Sequence, residues 1–118
     1  NVHLIESDVR KATFLREVSR ETNTPIIVHD ERIEDTEIQE IDVFTARALA
    51  PLRDLLRMSS LLSTKDHSFY CLFLKGEKAK EEIEKARKSW IFDLDEIQSV
   101  SEESGKILKI NNLNNSFT

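Results

Sequence analysis

The sequence predicts an α/β chain whose sheet is mostly parallel with an antiparallel end. Three observations carry that expectation. Short apolar runs alternate with amphipathic helical patterns from Val2 to Trp90, the arrangement that builds parallel sheets. The last two strand-like segments are separated only by a short turn, so they should pair antiparallel. The 118 residues are 39% hydrophobic and 33% charged, a globular rather than a disordered composition.

The elements follow in order. Val2-His3-Leu4-Ile5 reads as a buried strand at the very start of the chain. Ser7 then suits an N-cap, and Asp8 is placed well for the helix dipole. Val9, Ala12, Leu15 and Val18, with Phe14 beside them, form one apolar stripe. Arg10, Lys11, Arg16, Glu17 and Arg20 fall largely off it. Pro25-Ile26-Ile27-Val28 is a second strand, with proline at its entry where no ladder donor is lost. Residues 32–40 are polar and read as loop with at most one helical turn.

Residues 41–46 make a third strand. Pro51 suits the first turn of a helix whose face is Leu52, Leu55, Leu56, Ser59 and Leu62. Residues 63–66 read as a loop, and 67–74 as an aromatic-rich strand. The clearest helical pattern runs from Glu77 to Trp90, with Ala79, Ile83, Ala86 and Trp90 on one face. Two strands follow near residues 91–100 and 106–112, joined at Glu103-Ser104-Gly105, and residues 112–118 read as a frayed tail. With no repeat and no linker, a single domain over residues 1–118 is expected.

Composition narrows the function. With a formal net charge of −5, the whole chain is not an obvious nucleic-acid binder. A lone cysteine, Cys71, excludes an internal disulfide and fits a reducing, cytoplasmic compartment. It lies in an apolar strand, where a thiol is more often inert than nucleophilic. His3, His29 and His67 are scattered, so no metal site is expected. No apolar run approaches a bilayer span. Only Gly76 and Gly105 occur, so the chain holds no glycine-rich nucleotide loop.

The residues then carry a resemblance. Val2-His3-Leu4-Ile5-Glu6-Ser7 followed by residues 10–17 resembles the second strand and helix of the RsmG (GidB) family. Glu31-Arg32-Ile33-Glu34 is similar to that family's R-[AV]-E segment. Residues 41–52 are similar to its fDvvtaRAvapL segment, and Phe73-Leu74-Lys75-Gly76 to its alKG strand end. Gly105-Lys106-Ile107-Leu108 resembles its final strand, with lysine where arginine is usual. The match spans roughly Val2 to Ala86, in order; Arg47 followed by Lys75-Gly76 is its most specific part.

The resemblance implies the class I, S-adenosylmethionine-dependent methyltransferase fold, a Rossmann-like sheet here lacking its first strand and glycine-rich loop. It implies that the chain is the C-terminal portion of a longer enzyme that methylates guanine N7 in small-subunit ribosomal RNA. The absence of an initiating methionine fits that expectation. A sheet lacking a strand would leave edges open to self-association. Two other readings stay open: a non-catalytic α/β binding or dimerisation module, and a class I methyltransferase with another substrate.

Physical chemistry gives each candidate residue a role and a plainer alternative. Ligands of open α/β sheets sit beyond the C-terminal strand ends. Glu6 stands there, and a carboxylate can accept hydrogen bonds from both ribose hydroxyls; otherwise it is a solvated carboxylate favoured by the helix dipole. By resemblance, backbone near Ile33 and Glu34 meets the adenine edge of S-adenosyl-L-methionine; otherwise this is a charged loop. Arg47 follows an apolar strand directly and can grip a carboxylate or phosphate bidentately. The resemblance places it at the junction of cofactor and substrate, as the catalytic candidate; a salt bridge to Glu34 or Asp42 is the alternative. Arg10, Lys11 and Lys75 are the expected RNA contacts, with Arg53 and Lys78 adding positive charge.

Overall fold

A computed structural model describes residues 1–38, 41–47, 50–62, 69–100 and 104–115. These fall into two compact units, Asn1–Glu37 and Ile38–Thr118.

The first unit holds β1 (His3–Ile5), α1 (Val9–Glu21), β2 (Ile27–His29) and a short 3-10 turn at Ile33–Asp35. β1 and β2 pair in parallel, with Leu4 opposite Val28. Asp8, not Ser7, caps α1: its carboxylate accepts from the Arg10 and Lys11 N–H groups at 2.9 and 3.3 Å. One helix-start donor set is thereby satisfied. At the other end Asn23 takes φ 55°, and the Thr24 N–H returns to the Ser19 carbonyl at 3.0 Å. A residue in the left-handed conformation just past a helix is a common stop, and asparagine is one that takes it.

The stripe expected on α1 is not buried as a stripe. Ala12 is fully buried, whereas Val9 and Phe14 are 64% and 66% exposed. Two three-residue strands offer only a narrow face, too small to cover a helix of 13 residues.

The second unit carries β3 (Val43–Arg47), α2 (Leu52–Leu62), β4 (Tyr70–Lys75), α3 (Ala79–Ala86), β5 (Trp90–Gln98) and β6 (Lys106–Asn115). Its sheet has the order β3-β4-β6-β5. β3 and β4 are parallel; β4 with β6, and β6 with β5, are antiparallel. The parallel pairs and the antiparallel end agree with the predicted α/β class, although the strands lie in two sheets and not one. The last strand inserts between β4 and β5.

Leu52, Leu55 and Leu56 of α2, Phe73 of β4 and Leu108 of β6 are all at 0% exposure, with Phe92 and Ile110 almost as buried. Phe44 meets Phe73 edge to face with centroids 5.9 Å apart, a favourable aromatic geometry.

Several boundaries differ from expectation. The third helix stops at Ala86, and Trp90 begins β5 instead of ending the helix. Beyond Ala86 the turn tightens to i→i−3 bonds at Lys88 and Ser89. The β-favouring run Trp90-Ile91-Phe92 then enters the sheet, where Phe92 is buried. β6 extends to Asn115, into the segment expected to be a frayed tail. It does so through a bulge opposite Ile91 and Asp93. Asn112 takes φ 53° there, and its amide donates to Asp93 at 2.7 Å. The expected loop at 63–66, the expected strand residues His67 and Ser68, Glu103 and residues 116–118 lie outside the described residues.

Candidate functional site

In the first unit the parallel pairing puts the C-terminal ends of β1 and β2 side by side. Glu6 follows β1 directly, and its N–H donates to the His29 carbonyl at 2.9 Å. One carboxylate oxygen of Glu6 accepts from the Asp8 N–H at 3.1 Å. Its second oxygen has no partner among the described residues. Glu6 thus does what a helix-start carboxylate does and keeps acceptor capacity for a diol.

Beyond β2 the chain turns through Arg32 into the 3-10 turn that holds Ile33 and Glu34. The Thr36 hydroxyl locks that turn onto the Arg32 carbonyl at 2.9 Å. Ile33 is half-buried and Glu34 exposed. Arg16, read from sequence as a surface cation, also holds this end: it donates to the Val28 carbonyl at 3.0 Å and lies 3.6 Å from Asp30. Arg10 and Lys11 are exposed on the first turn of α1.

Within the same unit His3 and His29 stack across the strands, with ring nitrogens 2.9 Å apart. His29 also lies 3.6 Å from Glu31. These histidines support the β1–β2 pair.

In the second unit Arg47 closes β3, opposite Leu74 of β4, and is exposed. Lys75 closes β4, so both cations stand at the C-terminal edge of this sheet. They differ in environment. The Lys75 side chain is 8% exposed, donates to the Ala50 carbonyl at 2.6 Å and pairs with Glu82 at 2.9 Å. That is the geometry of an internally paired lysine. The same Glu82 oxygen accepts from the Leu52 N–H at 2.8 Å. Glu82 was not legible as a site neighbour, because in sequence it is one acid among several on a charged helix.

Beside this network lies an open cleft of about 500 Å³ whose lining includes Pro51, Arg53, Lys78, Glu81 and Lys85. Arg53, Lys78 and Lys85 are exposed and give the cleft a basic rim. Adding a Cβ at Gly76 would meet nothing within 4 Å, so its glycine is not demanded by the protein's own packing.

Cys71 is buried in the core of the second unit. Burial pushes its thiol up to about 11, against a smaller opposing hydrogen bond from Ser59. A thiol so held is not a nucleophile at neutral pH. Among the described residues no three His, Cys, Asp or Glu side chains are grouped to hold a metal. No described helix is long and apolar enough to cross a membrane.

Comparison with known proteins fits this geometry. Residues 1–111 match the GidB family, described as rRNA small subunit methyltransferase G. The chain is 43% identical to the ribosomal RNA small subunit methyltransferase G of Rhodospirillum centenum, over 95% of this chain and 51% of that protein. It is 47% identical to the protein of the same name from Rhizobium leguminosarum bv. trifolii, over 95% of this chain and 56% of the relative. It therefore spans about half the length of the curated relatives it matches.

Among solved structures, M. jannaschii TYW2 in complex with AdoMet matches with a TM-score of 0.54 at 13% identity, over 97% of this chain and 57% of that one. An rRNA methylase from Streptococcus thermophilus matches with a TM-score of 0.54 at 8% identity, over 97% and 74%. At such identities the likeness is one of fold, that of the class I methyltransferases.

Proposed function

The chain belongs to the GidB family, rRNA small subunit methyltransferase G, and from that premise we propose that it forms part of an enzyme that methylates guanine N7 in small-subunit ribosomal RNA. The observation that carries the reading is the strand-end chemistry within each unit. Glu6 and the Ile33–Glu34 turn stand beyond β1 and β2; Arg47 ends β3.

The residues fit the nucleoside half of S-adenosyl-L-methionine. The Glu6 carboxylate has an oxygen available for ribose hydroxyls. The half-buried Ile33 offers an apolar side chain to the adenine, with polar backbone at Glu34. When bound, the cofactor supplies a methyl group on a sulfonium. Guanine N7 has a free lone pair and would itself be the nucleophile towards that methyl group. No proton moves, so no general base is required of the protein. What this chain supplies is alignment and charge.

Arg47 is the residue proposed to act at the reacting end, as a fixed cation for a carboxylate or phosphate. Arg10 and Lys11 serve RNA phosphates. The cleft cations Arg53 and Lys78 serve the same purpose better than Lys75, whose ammonium is already engaged. In the isolated chain the outer edge of β3, which pairs only with β4 among the described residues, is the surface for self-association.

The reading is tested by methyl transfer from labelled S-adenosylmethionine to small ribosomal subunits lacking this modification, using the full-length protein. N7-methylguanosine in the digested RNA is expected. Arg47→Ala should lower the rate by roughly 100-fold, the scale of a lost electrostatic contact in a transition state. Label on another base or on no RNA would sink the substrate assignment, and normal turnover by Arg47→Ala would remove that residue from the site.

A further inference from the structure

Arg47 ends β3 and Leu52 begins α2. The start of α2 is fastened by two side chains from elsewhere in the chain. Lys75 donates to the Ala50 carbonyl at 2.6 Å, and Glu82 accepts from the Leu52 N–H at 2.8 Å. The two side chains meet at 2.9 Å.

Each part of this network answers a specific need. Leu52 opens α2 and is fully buried, so its N–H has neither a helical partner nor water. Glu82, thirty residues further on, provides the acceptor. A carboxylate that is only 21% exposed needs a counter-charge. Lys75 provides it and, with another of its three donors, takes the Ala50 carbonyl. Three elements are thereby joined at one point: the end of β4, the start of α2 and the first turn of α3. On the near side, Arg47 is fixed by its ladder partner Leu74, the residue next to Lys75.

We propose that Lys75 and Glu82 are a positioning pair that fixes the end of β4 against the start of α2, and so, through the Arg47–Leu74 pair of the ladder, the placement of Arg47, without either touching RNA or cofactor. The inference rests on the assignment of Arg47 to the methyl-transfer site. It replaces the RNA-contact role for Lys75 with an internal one. It also gives Glu82 a role that its sequence context does not suggest.

The test uses the full-length protein, small ribosomal subunits and S-adenosylmethionine. Lys75→Met or Glu82→Gln alone leaves a buried charge unpaired and can simply unfold the protein. The decisive variant is therefore the double Lys75→Met/Glu82→Gln. It has no unpaired charge, and glutamine keeps an acceptor for the Leu52 N–H. It should melt close to the parent, yet show kcat lowered about tenfold or more, with KM for subunits changed less than about threefold, the pattern of lost transition-state alignment. Parent-like kcat in the folded double variant overturns the proposal. So does a raised KM at unchanged kcat, which would return Lys75 to RNA binding.

Amide hydrogen exchange at Leu52 in a second variant, Lys75→Met/Glu82→Met, which removes the acceptor of the Leu52 N–H, separates failure of the pair from failure of the enzymatic reading. Faster exchange there, with a parent that transfers no methyl group, would sink the reaction and leave the clamp standing. Unchanged exchange there would sink the clamp whatever the parent does.

Discussion

The two units of this chain are built to different standards. In Ile38–Thr118 a four-stranded sheet and two helices enclose Phe73, Leu52, Leu55, Leu56 and Leu108, none of which retains any exposure. In Asn1–Glu37 the only fully buried apolar side chain among the described residues is Ala12. Val2, Val9, Phe14, Val18 and Ile27 are all left exposed. The first unit nevertheless carries Glu6, Ile33 and Glu34. It maintains them through hydrogen bonds at the strand ends rather than through a core. The contrast teaches that strand-end chemistry and packing strength are separable: the residues assigned to the nucleoside sit on the region with the least of its own core.

That contrast can be broken most sharply with a pair of phenylalanines. Phe73→Ala should cost roughly 3–5 kcal/mol, the loss for a buried aromatic. Phe14→Ala, at 66% exposure, should stay within about 0.5 kcal/mol. Urea unfolding followed by fluorescence would read both, and similar costs at the two sites would erase the difference between the units.

Cys71 gives a second handle on the same core. Its thiol is raised from 9.0 to about 11 by burial. A raised folded value means that the protonated thiol contributes stability fully below about 9 and that this contribution is lost as pH rises towards 11. Alkylation by iodoacetamide at pH 8 should be at least about tenfold slower in the folded chain than in urea. Equal rates would show that the core around α2 and β4 is open.

The smaller effect belongs to the first unit. Asp8→Ala removes the acceptor for the Arg10 and Lys11 N–H groups and should cost about 1 kcal/mol. Hydrogen exchange should rise along α1 and not in the sheet of the second unit. A rise in both would mean that the two unfold as one.

Much of the fold was legible because its signals are local. All six strands are predicted by apolar runs, and α2 by a face whose five members are each buried as expected. Asp8 could be misread because Ser7 and Asp8 are both good caps, and only the backbone decides which one reaches the N–H groups. Trp90 fits the helical spacing yet belongs to β5, since burial of the following Phe92 in the sheet outweighs one more helical contact. The α1 stripe shows the reverse failure: periodicity reveals an apolar face, but not whether anything covers it.

The candidate site divides in the same way. Glu6 and Arg47 were legible as strand-end residues, a matter of local pattern. The ties of Lys75 to Ala50 and of Glu82 to Leu52 were not, because they join residues 25 and 30 positions apart through contacts that only the fold creates. Nor does any periodicity reveal that β6 inserts between β4 and β5.

The assignment of the first unit to the cofactor's nucleoside is tested most directly by calorimetric titration of S-adenosylmethionine into three samples: the full-length protein, its Glu6→Gln variant and the 118-residue chain alone. Binding by the full-length protein, weakened about tenfold or more by Glu6→Gln through loss of a charged hydrogen bond, and weak or absent in the 118 residues that lack a glycine-rich loop, is the expected outcome. Unchanged affinity in Glu6→Gln, or binding by the 118 residues as tight as by the full-length protein, would contradict it.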